Sequence, residues 1–184
     1  ASDVYKRQAG DIQKFRLEGS LRERKWYQAW LTYDAQTSKL TLGKAILDPG
    51  LKSEDQTGSS TDYAFESVSH EIPFLIGAQF SGPIDSHFNG KLEAPTIFSR
   101  SLDHQEIEQA FSGKIPDGLL ARWDFSREIP TSRMIDLGPE NLEGYLVNCP
   151  ARGMTGSNWK GKEMCWRHAP GDYGAIHFLS LIHI

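Results

Sequence analysis

Cysteine is almost absent from this chain: Cys149 and Cys165 are the only two among 184 residues. Two thiols make no disulfide framework of the kind that staples small secreted domains, and no Cys-x-x-Cys pair is present. The Asn-x-Ser/Thr acceptor of N-glycosylation is missing as well, which fits a cytoplasmic protein with free thiols. No apolar run approaches the ~18 residues needed to span a bilayer, so a membrane is not expected as partner. A surplus of one charge is also lacking. The net charge is −4, the pI is near 5.9, and basic residues are scattered among acidic ones, so nothing draws the chain to nucleic acid. Gly-rich phosphate loops, Gly-x-Ser-x-Gly elbows and His-Glu-x-x-His helices do not occur.

What is there can build a core, since 39% of residues are hydrophobic and 11% aromatic. The length suits one domain and part of a second. Alternating polarity predicts β structure early in the chain, with strands over 26–33 and 39–46 around the turn Asp34-Ala-Gln-Thr-Ser. Residues 48–69 hold few apolar side chains and many turn formers, which predicts a surface loop. A strand with a buried middle is expected over 71–80 and another over 91–99. Asp103 then stands three positions before Glu106, the outline of a capping box, and Ile107, Ala110 and Phe111 recur at helical spacing. Gly113 and Pro116 end that helix. Beyond it, a strand is expected over 117–126, a loop over 127–143 and a brief strand over 145–147. From Cys149 the texture turns rich in Gly and Trp, which places a domain boundary near 148–152.

The run FLIGAQF…FNGKLEAPTIFSRSLDHQEI resembles the closing half of laminin-G-like, concanavalin A-like jelly rolls, and WYQAWLTYDAQTSKLTLG resembles the hairpin before it. GLLARWDFS…MIDLGPENLEG is similar to the opening of such a domain, and is read as a strand pair packing back on the same sandwich. The run NCPARGMTGSNWKGKEMCWRHAPGDYGAIHF resembles the entry into the C-terminal region of the N,N-dimethylformamidase large (beta) subunit family. The expected fold is therefore mainly β: an antiparallel β-sandwich with one short helix, followed by the truncated start of an α/β domain. The expected division is a partial jelly roll with its closing strands over 9–148 and the start of a catalytic region over 149–178. The ends ASDVYKRQ (1–8) and LSLIHI (179–184) resemble translated read-through of sequencing-library adapters at the ends of a metagenomic fragment, and are expected to be non-native.

The resemblance implies iron-dependent hydrolysis of a small amide by a hetero-oligomer containing a small subunit, with tyrosine and carboxylate ligands that suit iron. It implies that this piece is inactive alone. The candidate catalytic residues in the matched run are His168 and His177, and the candidate metal ligand is Tyr173. For each taken singly, a hydrogen-bonded structural role is the simpler reading. His177 is expected near the end of a buried parallel-type strand, where α/β sites gather. In the jelly roll, Asp34, Asp85, Asn89 and Asp103 suit calcium or sugar contacts, and equally suit turns and caps. Trp26, Tyr27 and Trp30 offer a sugar-stacking platform or ordinary core packing. A carbohydrate-binding or adhesion module without catalysis is the alternative function.

Overall fold

In the computed structural model, residues 3–8, 11–17, 20–47, 56–60, 74–80, 84–85, 87–148, 150–157 and 174–178 are described. The chain divides into two interleaved units: 1–69 with 100–118, and 70–99 with 119–184. It is mainly β, with every paired strand antiparallel and one short helix among the described residues.

In the first unit, β1 (Asp3–Gln8) pairs with β2 (Asp11–Arg16). The expected hairpin forms as β3 (Tyr27–Asp34) and β4 (Lys39–Ile46), in continuous register from Tyr27 opposite Ile46 to Asp34 opposite Lys39. Asp34 shapes the turn, because its carboxylate accepts from the Gln36 N–H at 2.9 Å and the Thr37 hydroxyl at 2.7 Å. Those donors, the Thr37 hydroxyl foremost, hold its carboxyl below the ordinary range. Alternation then sorts the faces: Leu40, Leu42 and Ile46 are buried on one side of β4.

The loop expected over 48–69 is corrected in part. Gln56–Ser60 forms β5 and adds to the free edge of β4, with Leu42 opposite Gly58. Backbone N–H and C=O groups make that pairing, so a Gln-Thr-Gly-Ser-Ser segment without apolar residues joins a sheet that side-chain periodicity does not announce.

Helix α1 (His104–Phe111) begins as expected. The Asp103 carboxylate accepts from the Glu106 N–H at 2.8 Å, and Glu106 accepts in return from the Asp103 N–H at 3.1 Å. Arg100 adds a fork-to-fork pair with Glu106 and also donates to the Asp117 carbonyl at 3.1 Å. The corner Arg100-Ser101-Leu102 is thus clamped to the helix it precedes. Its hydrogen bonds with Arg100, and then with the Asp103 N–H, lower the Glu106 carboxyl from an ordinary 4.5 to about 2. A depressed carboxylate stabilises fully above its unfolded value and loses that stabilisation as pH falls through the folded one. A carbon-13 titration of the Glu106 carboxyl should therefore show a midpoint near 2, and Arg100→Gln should return it toward 4.5. An ordinary midpoint in the unaltered chain would contradict the clamp.

In the second unit the strands are short. The strand expected over 71–80 narrows to β6 (Gln79–Phe80), paired with β7 (Ile84–Asp85). Gly77 at φ 83° turns the chain just before it, and 71–73 lie outside the described residues. The single strand expected over 91–99 is two: β8 (Gly90–Glu93) and β9 (Thr96–Phe98). Ala94 sits at φ 44° and Pro95 has no N–H, so extension breaks there and the halves enter different sheets.

One sheet runs β12-β11-β10-β9, from β9 through β10 (Leu119–Asp124) and β11 (Arg133–Asp136) to β12 (Gly144–Tyr145). β11 lies inside the stretch expected to be loop. The other sheet runs β13-β14-β8, with β13 (Ala151–Met154) and β14 (Ala175–Phe178). Ala121, Trp123, Phe125 and Ile176 form the core of this unit, packed by Leu92, Ile97, Met134 and Phe178. The Trp123 indole N–H donates to the Leu142 carbonyl at 2.8 Å, which gives the buried ring its polar partner.

Between β11 and β12 the chain folds around Asp136. This buried carboxylate accepts from the N–H groups of Arg122, Gly138 and Leu142, each at 2.7 Å. Gly138 is required there, since a Cβ would come within 2.5 Å of the Leu120 carbonyl oxygen and 2.9 Å of the Ala121 Cα. The stretch MIDLGPENLEG is thus irregular in pattern and tightly specified in structure.

Candidate functional site

The segment read as the entry to the catalytic region begins with Arg152 on β13. The residue is 9% exposed, and its guanidinium donates to five backbone carbonyls, those of Arg127, Glu128, Ile129, Thr131 and Arg133. Nη1 serves two of these carbonyls and Nη2 shares its two N–H groups among the other three, so a planar fork suits a turn whose carbonyls point inward. Glu128 at φ 47° belongs to that turn.

Farther along, Thr155, Gly156 and Ser157 lie against β8. The Lys91 ammonium donates to the Thr155 hydroxyl at 2.7 Å and to its carbonyl at 3.3 Å. Glu93 accepts from the Ser157 N–H at 2.8 Å. Gly156 between them lets the backbone approach the Glu93 carboxylate, since a Cβ would lie 2.5 Å from one of its oxygens and force that carboxylate to shift. Two residues of β8, 64 positions upstream, thus seat the Thr-Gly-Ser turn.

His177 lies on β14, directly opposite Lys91 on one neighbour and Ala151 on the other. Directly opposed residues project to the same side, so His177, Lys91 and Glu93 share one face, while Ile176 points into the core on the other. The parallel strand expected here is corrected: β14 is antiparallel to both neighbours. Antiparallel pairing places half-buried polar residues on one face and apolar ones on the other, which the short run Ala-Ile-His-Phe does not distinguish from a buried parallel strand.

The other two candidates, His168 and Tyr173, lie outside the described residues, as does Cys165. Among the described residues no three His, Cys, Asp or Glu side chains gather as a metal site would require. Asp34 and Asp103 are engaged in a turn and a helix cap, Asn89 is exposed outside any strand, and of Asp85 only the backbone is described. The Tyr27 hydroxyl accepts from the Arg22 N–H at 3.0 Å, and Tyr27 and Trp30, at odd spacing on β3, project to opposite faces, so those two rings do not share a platform. The described functional geometry is therefore a polar sheet face carrying His177, Lys91 and Glu93, with Arg152 securing the turn over 127–133. The roles of Arg152, Lys91 and Glu93 escape sequence reading. The signal in the sequence is a lone Arg in a Gly-rich run, and its five acceptors are backbone atoms.

The chain matches no family model. It is 39% identical over 175 residues to a protein from Alcaligenes sp. named N,N-dimethylformamidase beta subunit, a match covering 83% of this chain and 23% of that protein. The chain belongs to the N,N-dimethylformamidase beta-subunit family. A second member, from Paracoccus aminophilus and bearing the same name, is 39% identical over 100 residues, covering 50% of this chain and 13% of its own. The chain thus spans less than a quarter of the length of the curated relatives it matches. Within the run Pro-Ala-Arg-Gly-Met-Thr-Gly over 150–156, the structure gives Arg152, Thr155 and Gly156 tertiary roles: one holds a turn, one anchors to β8, one lets the backbone approach Glu93. No helix among the described residues is long and apolar enough to cross a membrane.

Proposed function

We propose that this chain is part of the large subunit of an enzyme that hydrolyses a small formamide to formate and an amine. The observation that carries the reading is the 39% identity over 175 residues to a protein named N,N-dimethylformamidase beta subunit. In this reading the β-sandwich is a non-catalytic jelly roll of laminin-G-like type, and the segment over 149–178 begins the catalytic region. A large subunit implies a partner, so a small subunit and a hetero-oligomer belong to the same proposal, as does a cytoplasmic location.

Iron is the metal that the family resemblance implies. Among the described residues no three His, Cys, Asp or Glu side chains converge and His177 sits in a strand beside Lys91, while His168 and Tyr173 lie outside those residues. Lys91 and Glu93 seat the Thr155-Gly156-Ser157 turn near the start of the segment assigned to the catalytic region.

Two measurements test the reading. The complete large subunit, co-expressed with its small subunit, should release formate from N,N-dimethylformamide, while the 184-residue chain alone should release none. Formate release by the isolated chain would overturn the non-catalytic assignment. Failure of the complete, folded assembly to hydrolyse any small formamide would overturn the activity.

A further inference from the structure

Of the four asparagines, Asn89, Asn141, Asn148 and Asn158, only Asn89 is followed by glycine. It is exposed and stands outside any strand, in the short connection His87-Phe88-Asn89 that leads into β8. Its side-chain amide has no hydrogen-bond partner among the described residues, whereas Asp34 and Asp103 are tied into a turn and a helix cap. The backbone on either side of it is held. The Phe88 N–H donates to the Gly77 carbonyl at 2.8 Å, and the Phe88 ring stands edge-on to Phe178 at 6.4 Å. Gly90 begins β8 opposite Phe178, and a Cβ there would come within 2.8 Å of the Phe88 ring and force it to shift. Glycine therefore suits position 90, and it is also the residue that shields its own main-chain nitrogen least.

An uncommitted asparagine amide has its carbonyl carbon within ring-closing reach of the next main-chain nitrogen. Once that nitrogen gives up its proton to hydroxide, the Gly90 nitrogen can attack Asn89 Cγ. A new C–N bond closes a succinimide, and the bond from Cγ to the side-chain nitrogen breaks to release ammonia. Water then opens the ring at one of its two carbonyls. Attack at Cγ restores the ordinary peptide and leaves an aspartate. Attack at the main-chain carbonyl leaves Gly90 joined through Cγ, an isoaspartyl linkage. Either way an amide and one water become a carboxylate and ammonium, with no change of oxidation state. The two products differ in consequence. Aspartate adds a negative charge alone, while isoaspartate also lengthens the main chain by one methylene just before β8. Leu92 of that strand stands opposite the core residue Ile176, so the added length has to be taken up at the strand entry or by the strand itself. Lys91 and Glu93, which seat the Thr155-Gly156-Ser157 turn, follow at once.

We propose that Asn89 is a deamidation site in the folded protein, and that its isoaspartyl product loosens β8 and the turn that β8 seats. The inference is independent of amide hydrolysis, and no outcome below bears on that activity. The test incubates the folded 184-residue chain beside a urea-unfolded sample at mildly alkaline pH, then maps each asparagine by mass spectrometry. Isoaspartate is counted by methyl transfer from S-adenosylmethionine with an isoaspartyl methyltransferase. In the folded chain Asn89 should convert about tenfold faster or more than Asn141, Asn148 or Asn158, at a rate that rises with hydroxide. Asn89→Gln should suppress the product, because closure would then need a six-membered ring. The isoaspartyl form, separated by ion exchange, should show amide hydrogen exchange raised about fivefold or more over 90–93 and 155–157. Asn89→Asp, which carries the charge without the extra methylene, should exchange as the unaltered chain does. Conversion of Asn89 in urea alone, or faster conversion of another asparagine in the folded chain, would overturn the site. Unchanged exchange in the isoaspartyl form, or an equal rise in Asn89→Asp, would overturn the loosening by backbone extension.

Discussion

Replacing Arg152 with Met should lower the unfolding free energy by about 3–5 kcal/mol and shift the urea midpoint accordingly. The methionine fills much of the same space, so the loss reports hydrogen bonding rather than a void. Five carbonyls, from Arg127, Glu128, Ile129, Thr131 and Arg133, would lose their common donor at a residue that is only 9% exposed. Each unsatisfied buried carbonyl costs desolvation without return, and the turn would have to open to let water in. Arg152→Lys should recover less than half of the loss, because an ammonium offers three donors from one point rather than four spread over two nitrogens of a planar fork. Amide hydrogen exchange over 127–133 should rise in both variants. If Arg152→Met unfolds within about 1 kcal/mol of the unaltered chain, the clamp does not hold the turn.

The second large effect belongs to Asp136. Burial pushes its carboxyl up, but the three N–H donors from Arg122, Gly138 and Leu142 outweigh burial and hold it below the ordinary carboxylate range. Asp136→Asn keeps one oxygen to accept from Arg122 and Gly138. At the other position it puts an amide NH₂ against the Leu142 N–H, donor facing donor. The expected cost is about 2–4 kcal/mol at neutral pH, measured by denaturant unfolding. Acid should narrow the difference. A carboxylate with a depressed folded-state value contributes its stabilisation above the unfolded value, and loses it as pH falls through the folded one. Below that range Asp136 is itself protonated and presents the same conflict to Leu142. A difference between Asp and Asn that stays constant down to strongly acidic pH would show that ionisation of Asp136 is not what matters.

Both residues lie in the second unit, in stretches whose local pattern says little. Arg152 sits in a Gly-rich run and organises backbone groups 19–25 positions away, while Asp136, in a run dense with turn formers, ties its own loop to Arg122 on the neighbouring strand, 14 positions away. The first unit contrasts with this. Its hairpin, its Asp34 turn and its Asp103–Glu106 cap are interactions within a few residues, and they occur where residue type and spacing place them. The same holds for the family: it rests on uncommon residues in order, and order is legible without a fold.

What the sequence by itself determined was the local and the compositional. It supplied mainly antiparallel β structure, one capped helix, a β3–β4 register set by alternation and a short turn, and membership of the dimethylformamidase beta-subunit family. Tertiary structure alone decided the pairings between distant strands. β5 joined β4 through backbone groups that any sequence carries. Residues 91–99 split at Ala94-Pro95 because β8 and β9 have different partners. β14 ran antiparallel between β13 and β8, which set His177 beside Lys91 and Ile176 in the core. Hydrogen bonds between backbones carry no side-chain signature, so partner and direction are settled only when the apolar faces find each other in space.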